Sequence, residues 1–95
     1  MADARRVLVV DDDPDFVEII RMRLQADGYE VITAADGEEA LKKMKLEKPD
    51  VMLLDVLMPK LDGLKVLRRV RKLNKRLPVY ILTAFSNAER FRLAK

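Results

Sequence analysis

Four oxygen-bearing side chains in this 95-residue sequence stand directly after apolar runs. Asp11 and Asp12 follow the run 7–10 (VLVV), Asp55 follows 51–54 (VMLL), and Thr83 follows 79–82 (VYIL). If those runs are parallel strands of one sheet, their carboxyl ends share an edge. In an open parallel sheet that edge is where ligands bind. Three carboxylates gathered there repel one another, because two unit charges roughly 4 Å apart cost about 4 kcal/mol at an effective dielectric near 20. Protons could relieve this through raised pKa values. A hard divalent cation does so better at neutral pH, since carboxylate oxygens suit Mg²⁺. Mg²⁺ keeps several waters and bridges a carboxylate to a phosphoryl oxygen. One carboxylate is then left to accept a phosphoryl group, and the Thr83 hydroxyl to bind one of its oxygens.

Aspartates also serve blander purposes, capping helices and closing turns. Asp13 before Pro14 reads as a helix N-cap with proline at the first helical position. Asp36 with Glu39 has the capping-box spacing, and Asp62 before Gly63 opens a further helix. Capping does not account for Asp11, Asp12 and Asp55 as a set, because three positions would have to coincide at one edge. Other chemistries lack their residues. There is no histidine and no cysteine, which excludes a zinc site and a histidine-based triad. Glycine occurs only at 28, 37 and 63, so no glycine-rich phosphate cradle exists.

The elements that must position these residues alternate. Strands are expected over 7–10, 30–33, 51–54 and 79–82. The all-apolar ones read as buried on both faces, and the more polar 30–33 reads as an edge. The first helix starts at Asp13-Pro14, turns Phe16, Ile19, Ile20 and Leu24 inward, and ends at Gly28. The second runs from Asp36 to Pro49 on an apolar stripe of Ala40, Leu41 and Met44. The third opens at Asp62-Gly63 with Leu64, Leu67, Val70 and Leu73 inward. Asn87 caps a fourth helix that reaches Lys95. Strands alternating with helices mean an α/β fold with a parallel sheet covered on both faces.

Length limits the chain to one small domain over residues 1–95. No apolar run approaches the ~20 residues of a membrane span. The segment before Val7 lacks the h-region and cleavage site of a signal peptide. Without cysteines there is no disulfide framework, so a soluble, cytoplasmic protein is the expectation. The net charge of +3 is a weak bias, concentrated in 68–76 (RRVRKLNKR). These cations suit the C-terminal end of a helix dipole. Without interleaved aromatics they do not read as a nucleic-acid surface, and neither direct nucleic-acid binding nor membrane binding is expected.

Three stretches together resemble the receiver domain of bacterial response regulators. "VLVVDDDP" resembles its acidic-pair strand, "LLDVLMPKLDGL" its phosphorylation-site loop with Leu61 where methionine is more usual, and "VYILTA" its switch strand. The resemblance covers essentially the whole chain. It implies a flavodoxin-like (CheY-like), doubly wound parallel sheet with strand order 2-1-3-4. It further implies that Asp55 takes a phosphoryl group from a phosphohistidine of a sensor histidine kinase. Asp12 would bind Mg²⁺ directly, Asp11 would assist through water, and the backbone carbonyl of Leu57 would be a further ligand. Thr83 would hydrogen-bond the phosphoryl group and couple the site to a distant face. Ala84 would leave room for it, and Pro59 and Gly63 would shape the loop after Asp55.

The family fold has a fifth strand, carrying a lysine that pairs with the phosphoryl group, and a fifth helix. Neither can be assigned here, so the expectation is a truncated receiver with impaired signalling and a bare, apolar fourth-strand edge open to self-association. Two other readings compete. One is an interaction or scaffold module without phosphoryl chemistry. The other is a haloacid dehalogenase-like phosphatase, from the D-x-D of Asp11 and Asp13 and the "ILT" stretch. Against the latter stand Pro14 and a chain too short for that class's remaining acidic motif.

Overall fold

The computed structural model describes residues 5–55, 63–82 and 93–94. The first strand, β1 (Arg6–Val10), buries every residue from Val7 to Val10, as an unbroken apolar run in a covered parallel sheet must. Helix α1 (Pro14–Ala26) starts where Asp13, in extended backbone, accepts the N–H groups of Asp15 and Phe16. Pro14 at the first helical position forfeits no intrahelical bond. The helix stops at Gly28, whose φ of +95° favours glycine. The Gly28 N–H donates to the Gln25 carbonyl and the Tyr29 N–H to the Leu24 carbonyl. This paired closure satisfies carbonyls that the helix end would otherwise leave open.

Strand β2 (Glu30–Ala34) leads to α2 (Gly37–Glu47). Asp36 accepts the Glu39 N–H at 2.8 Å, and the Glu39 carboxylate reaches back to the Ala35 N–H, also at 2.8 Å. The expected capping box is therefore present, but its return bond lands one residue before the cap. The Ala35 N–H holds the Glu39 carboxyl below the usual carboxylate range; the Lys43 ammonium, 3.3 Å away, acts in the same direction. A carboxyl depressed by folding stabilises the fold above its unfolded pKa, and that contribution is lost as pH falls through the folded value. Glu39→Gln keeps an acceptor but drops the charge. At neutral pH it is expected to cost less than about 1 kcal/mol, because the pair is half-exposed and screened. The gap between variant and parent in urea melts should close as pH drops below the ordinary glutamate value of 4.5.

Strand β3 (Val51–Asp55), helix α3 (Gly63–Leu73) and strand β4 (Val79–Leu82) follow, and β5 (Leu93–Ala94) is the last described element. The sheet order is β2-β1-β3-β4-β5. The first four strands pair in parallel in the expected order 2-1-3-4, with β2 at one edge. Side chains alternate across β1. Leu8 and Val10 pack with Met52 and Leu54 under α2 and α3, against Ala40, Met44, Val66 and Val70. Val7 and Val9 face the other way, against Phe16 and Ile20 of α1. Both faces are thus covered by helices, as a parallel sheet requires. Among the described residues no helix is long and apolar enough to cross a membrane.

Three expectations need correction. The inward face of α3 is Gly63, Val66 and Val70, with Leu67 half-buried, whereas Leu64 and Leu73 are 50% and 48% exposed. A run spaced only by threes drifts around a helix, since each step of three residues at about 100° per residue falls roughly 60° short of a full turn. Leu64 and Leu73 therefore lie on opposite sides of the stripe that faces the sheet. Ile19 of α1 is likewise exposed, and Phe16 and Ile20 carry that face.

The third correction concerns the end of the chain. Leu93 and Ala94 form a strand antiparallel to β4, paired Leu82 with Leu93 and Ile81 with Ala94, and not the last turn of a helix. An edge strand presents a row of unpaired backbone groups, and over these residues the chain's own backbone meets them. The fourth-strand edge expected to be free for self-association is occupied there. Asn87, the expected cap, lies outside the described residues.

Candidate functional site

Strand β1 is flanked by β2 on one side and β3 on the other, so the order of connection reverses between β1 and β3. A crevice opens at such a switch point beyond the carboxyl ends of the strands. Val10 is the register partner of Leu54. The residues that follow them, Asp11 and Asp55, therefore leave the sheet side by side. The Asp11 backbone is tied to the sheet by its N–H to the Ala34 carbonyl at 3.1 Å. Its Oδ1 accepts the Asp13 N–H at 3.0 Å, the turn an aspartate makes with the backbone two residues on. Asp11 and Asp55 are buried, 2% and 3% exposed, and Asp12 is half-buried.

One carboxylate oxygen from each of Asp11, Asp12 and Asp55 lies within 4.8 Å of the others. At that separation each charge pair costs roughly 3.5 kcal/mol at an effective dielectric near 20. All three donors are hard oxygens from separate points of two strand ends. That set suits a small, hard divalent cation and offers nothing to a soft one. An open cleft lined by Asp11, Asp12, Pro14, Thr33 and Glu39 borders the cluster on the β2 side, which leaves the cluster reachable from solvent.

The structure brings together Asp11, Asp12 and Asp55 as the sequence led us to expect. Leu82, the last residue of β4, is the register partner of Asp55. Thr83 and Ala84, which follow it, lie outside the described residues, as do Leu57, Pro59 and Asp62. Asp13 is not a member of the cluster, because its carboxylate is engaged in capping α1. That removes the second aspartate from the D-x-D reading. Sequence reasoning missed two positioning contacts. One is the Asp13 N–H on Asp11, whose signal was the aspartate-two-residues-on pattern within "DDDP". The other is Lys43, which donates from Nζ to the Thr33 carbonyl at 2.6 Å beside its pair with Glu39. Its signal was the Glu-to-Lys spacing of four.

Comparison with known proteins agrees with this geometry. A family model described as the response regulator receiver domain matches residues 7–94. The alkaline phosphatase synthesis transcriptional regulatory protein PhoP of Bacillus subtilis is 49% identical over 80 residues, covering 84% of this chain and 33% of that protein. The transcriptional regulatory protein TrcR of Mycobacterium tuberculosis is 44% identical over 79 residues, covering 83% of this chain and 31% of that protein. The chain thus spans about a third of the length of these curated relatives. Among solved structures, response regulator TrrA of Thermotoga maritima in complex with Mg²⁺-BeF superposes with a TM-score of 0.80 at 42% identity, covering 93% of this chain and 76% of that one. A CheY-like receiver domain protein from Methanospirillum hungatei superposes at 0.82 and 30% identity, covering 93% and 70%. Matched along nearly its whole length in sequence and in fold, this chain belongs to the response regulator receiver domain family.

Proposed function

We propose that Asp55 is the phosphoryl acceptor of this receiver domain, with Asp11, Asp12, Asp55 and the backbone carbonyl of Leu57 as ligands for Mg²⁺. The observation that carries this reading is the approach of three carboxylate oxygens to within 4.8 Å at the switch-point edge. A bound Mg²⁺ would supply neutralising charge to the cluster and to the phosphoryl oxygens in transit. The Asp55 carboxylate oxygen attacks phosphorus in line, the bond from phosphorus to the donor nitrogen breaks, and the donor imidazole leaves with that electron pair. The product is an acyl phosphate on Asp55. Asp11, held by the Asp13 N–H, and Asp12 keep their charges aimed at the same point. Thr83 donates its hydroxyl to a phosphoryl oxygen, and the small Ala84 leaves room for the group. The change at Thr83 then biases a protein-interaction surface between two states.

The donor in this reading is a phosphohistidine on a sensor histidine kinase. The curated relatives are named as transcriptional regulators, so the output of a longer protein containing this domain would be control of transcription, exerted outside the receiver itself. Incubation with acetyl phosphate and Mg²⁺, read by intact mass, tests the proposal. One added phosphoryl group, mapped to Asp55 and absent under EDTA, supports it. No labelling of the folded chain would favour the scaffold reading.

A further inference from the structure

The sheet face that carries α2 and α3 bears a concentration of positive charge that the phosphoryl site does not use. Helix α3 holds five cations, Lys65, Arg68, Arg69, Arg71 and Lys72, and no carboxylate. Like charges three and four residues apart on a helix repel one another. Among the described residues, two of the five have partners. Arg69 pairs with Glu38 of α2 at 2.8 Å, and Arg71 donates to the Leu77 carbonyl beyond the helix. Lys65, Arg68 and Lys72 stand exposed.

Helix α2 presents Lys42 and Lys45 to solvent beside them, and Lys48, just past its end, is also exposed. Lys45 and Lys72 line one groove between the two helices, with Leu41 and Leu73 in its wall. A second groove adjoins it along α2, sharing Leu41, Lys45 and Arg69 and adding Lys42, Leu46 and the Glu38 that pairs with Arg69. Leu46 and Leu73 are 73% and 48% exposed. Two ammonium groups lining one groove make it attractive to an anionic partner. An exposed leucine in each of these adjoining grooves leaves apolar surface in contact with water.

We propose that the α2–α3 groove docks an acidic, amphipathic segment of a protein partner. Such a segment lays an apolar face into a groove and its charges against the rim, so it answers both features. A nucleic acid would answer only the charge. Neither α2 nor α3 contains an aromatic residue on which bases stack, and the leucines would lie against phosphates. The groove lies on the helices, away from the carboxylates of the strand ends. The proposal therefore stands whether or not Asp55 takes a phosphoryl group.

The test uses a fluorescein-labelled helical peptide with leucine at i, i+3, i+4 and i+7 and glutamate on its other faces, titrated with the chain and followed by anisotropy. Saturable binding is expected. Both K45E/K72E and L46S/L73S should weaken it by roughly tenfold or more. All four positions are exposed on helix surfaces, so circular dichroism should be unchanged in these variants. Replacing the peptide's glutamates with lysines should abolish binding. The proposal is overturned if polyglutamate binds as tightly as the amphipathic peptide, if duplex DNA binds more tightly, or if both double variants bind like the parent.

Discussion

Asp55→Asn is expected to abolish labelling by acetyl phosphate while leaving the chain folded. Asparagine keeps the size and planar shape of the side chain, so the site, only 3% exposed at this position, needs no repacking. The carboxamide lacks the anionic oxygen that attacks phosphorus. The loss should therefore be on the order of a thousandfold or more in initial rate, below detection by intact mass. The same change removes one of three charges whose oxygens approach within 4.8 Å. Without metal, Asp55→Asn should accordingly unfold at a higher temperature than the parent. Relief of even about 1 kcal/mol moves the midpoint of a domain this size by roughly 4–8 °C. A variant that is both inert and more stable is hard to explain by damage to the fold. Labelling that persists in Asp55→Asn would put the acceptor elsewhere.

Mg²⁺ should raise the unfolding midpoint of the parent, and this second effect is also large. A ligand that binds only the folded state at ten times its dissociation constant contributes about 1.4 kcal/mol, or roughly 6–11 °C here. Sodium chloride at matched ionic strength should give much less, because screening weakens the repulsion but does not occupy the site. Asp12→Asn should remove most of the Mg²⁺ response, since Asp12 is the half-buried member of the cluster and caps no helix. EDTA should return the parent to its metal-free midpoint. A parent that melts at one temperature with and without Mg²⁺, or an Asp12→Asn variant that responds in full, would contradict the assignment of these carboxylates to one cation.

Much of the site was legible because its signals are local. An apolar run ending in aspartate marks the carboxyl end of a buried strand. Two such runs in a parallel sheet carry Asp11, Asp12 and Asp55 to one edge whatever the details of the helices between them. Asp13 and Pro14 were equally legible, since a cap needs only its own turn. The face of α3 was not. Leu64, Leu67, Val70 and Leu73 look like a stripe when counted by threes, yet only geometry around the axis shows that the buried side is Gly63, Val66 and Val70. The return bond of Glu39 to Ala35 rather than to Asp36 depends on the path of the chain between β2 and α2, and spacing does not encode that path. The pairing of Leu93 and Ala94 with β4 is a non-local contact, chosen by the needs of an edge strand and not by any propensity of those two residues.

The central claim is that carboxylates from separate strands share one divalent cation beside Asp55. Mn²⁺ in place of Mg²⁺ reads this out directly, because its unpaired electrons broaden amide resonances near the bound ion. Titrated into isotope-labelled chain, substoichiometric Mn²⁺ should first erase the amide signals of residues 11–13 and 55, and Asp12→Asn should spare them. Broadening centred on the α2 carboxylates, or spread evenly over the surface with residue 55 untouched, would contradict the claim.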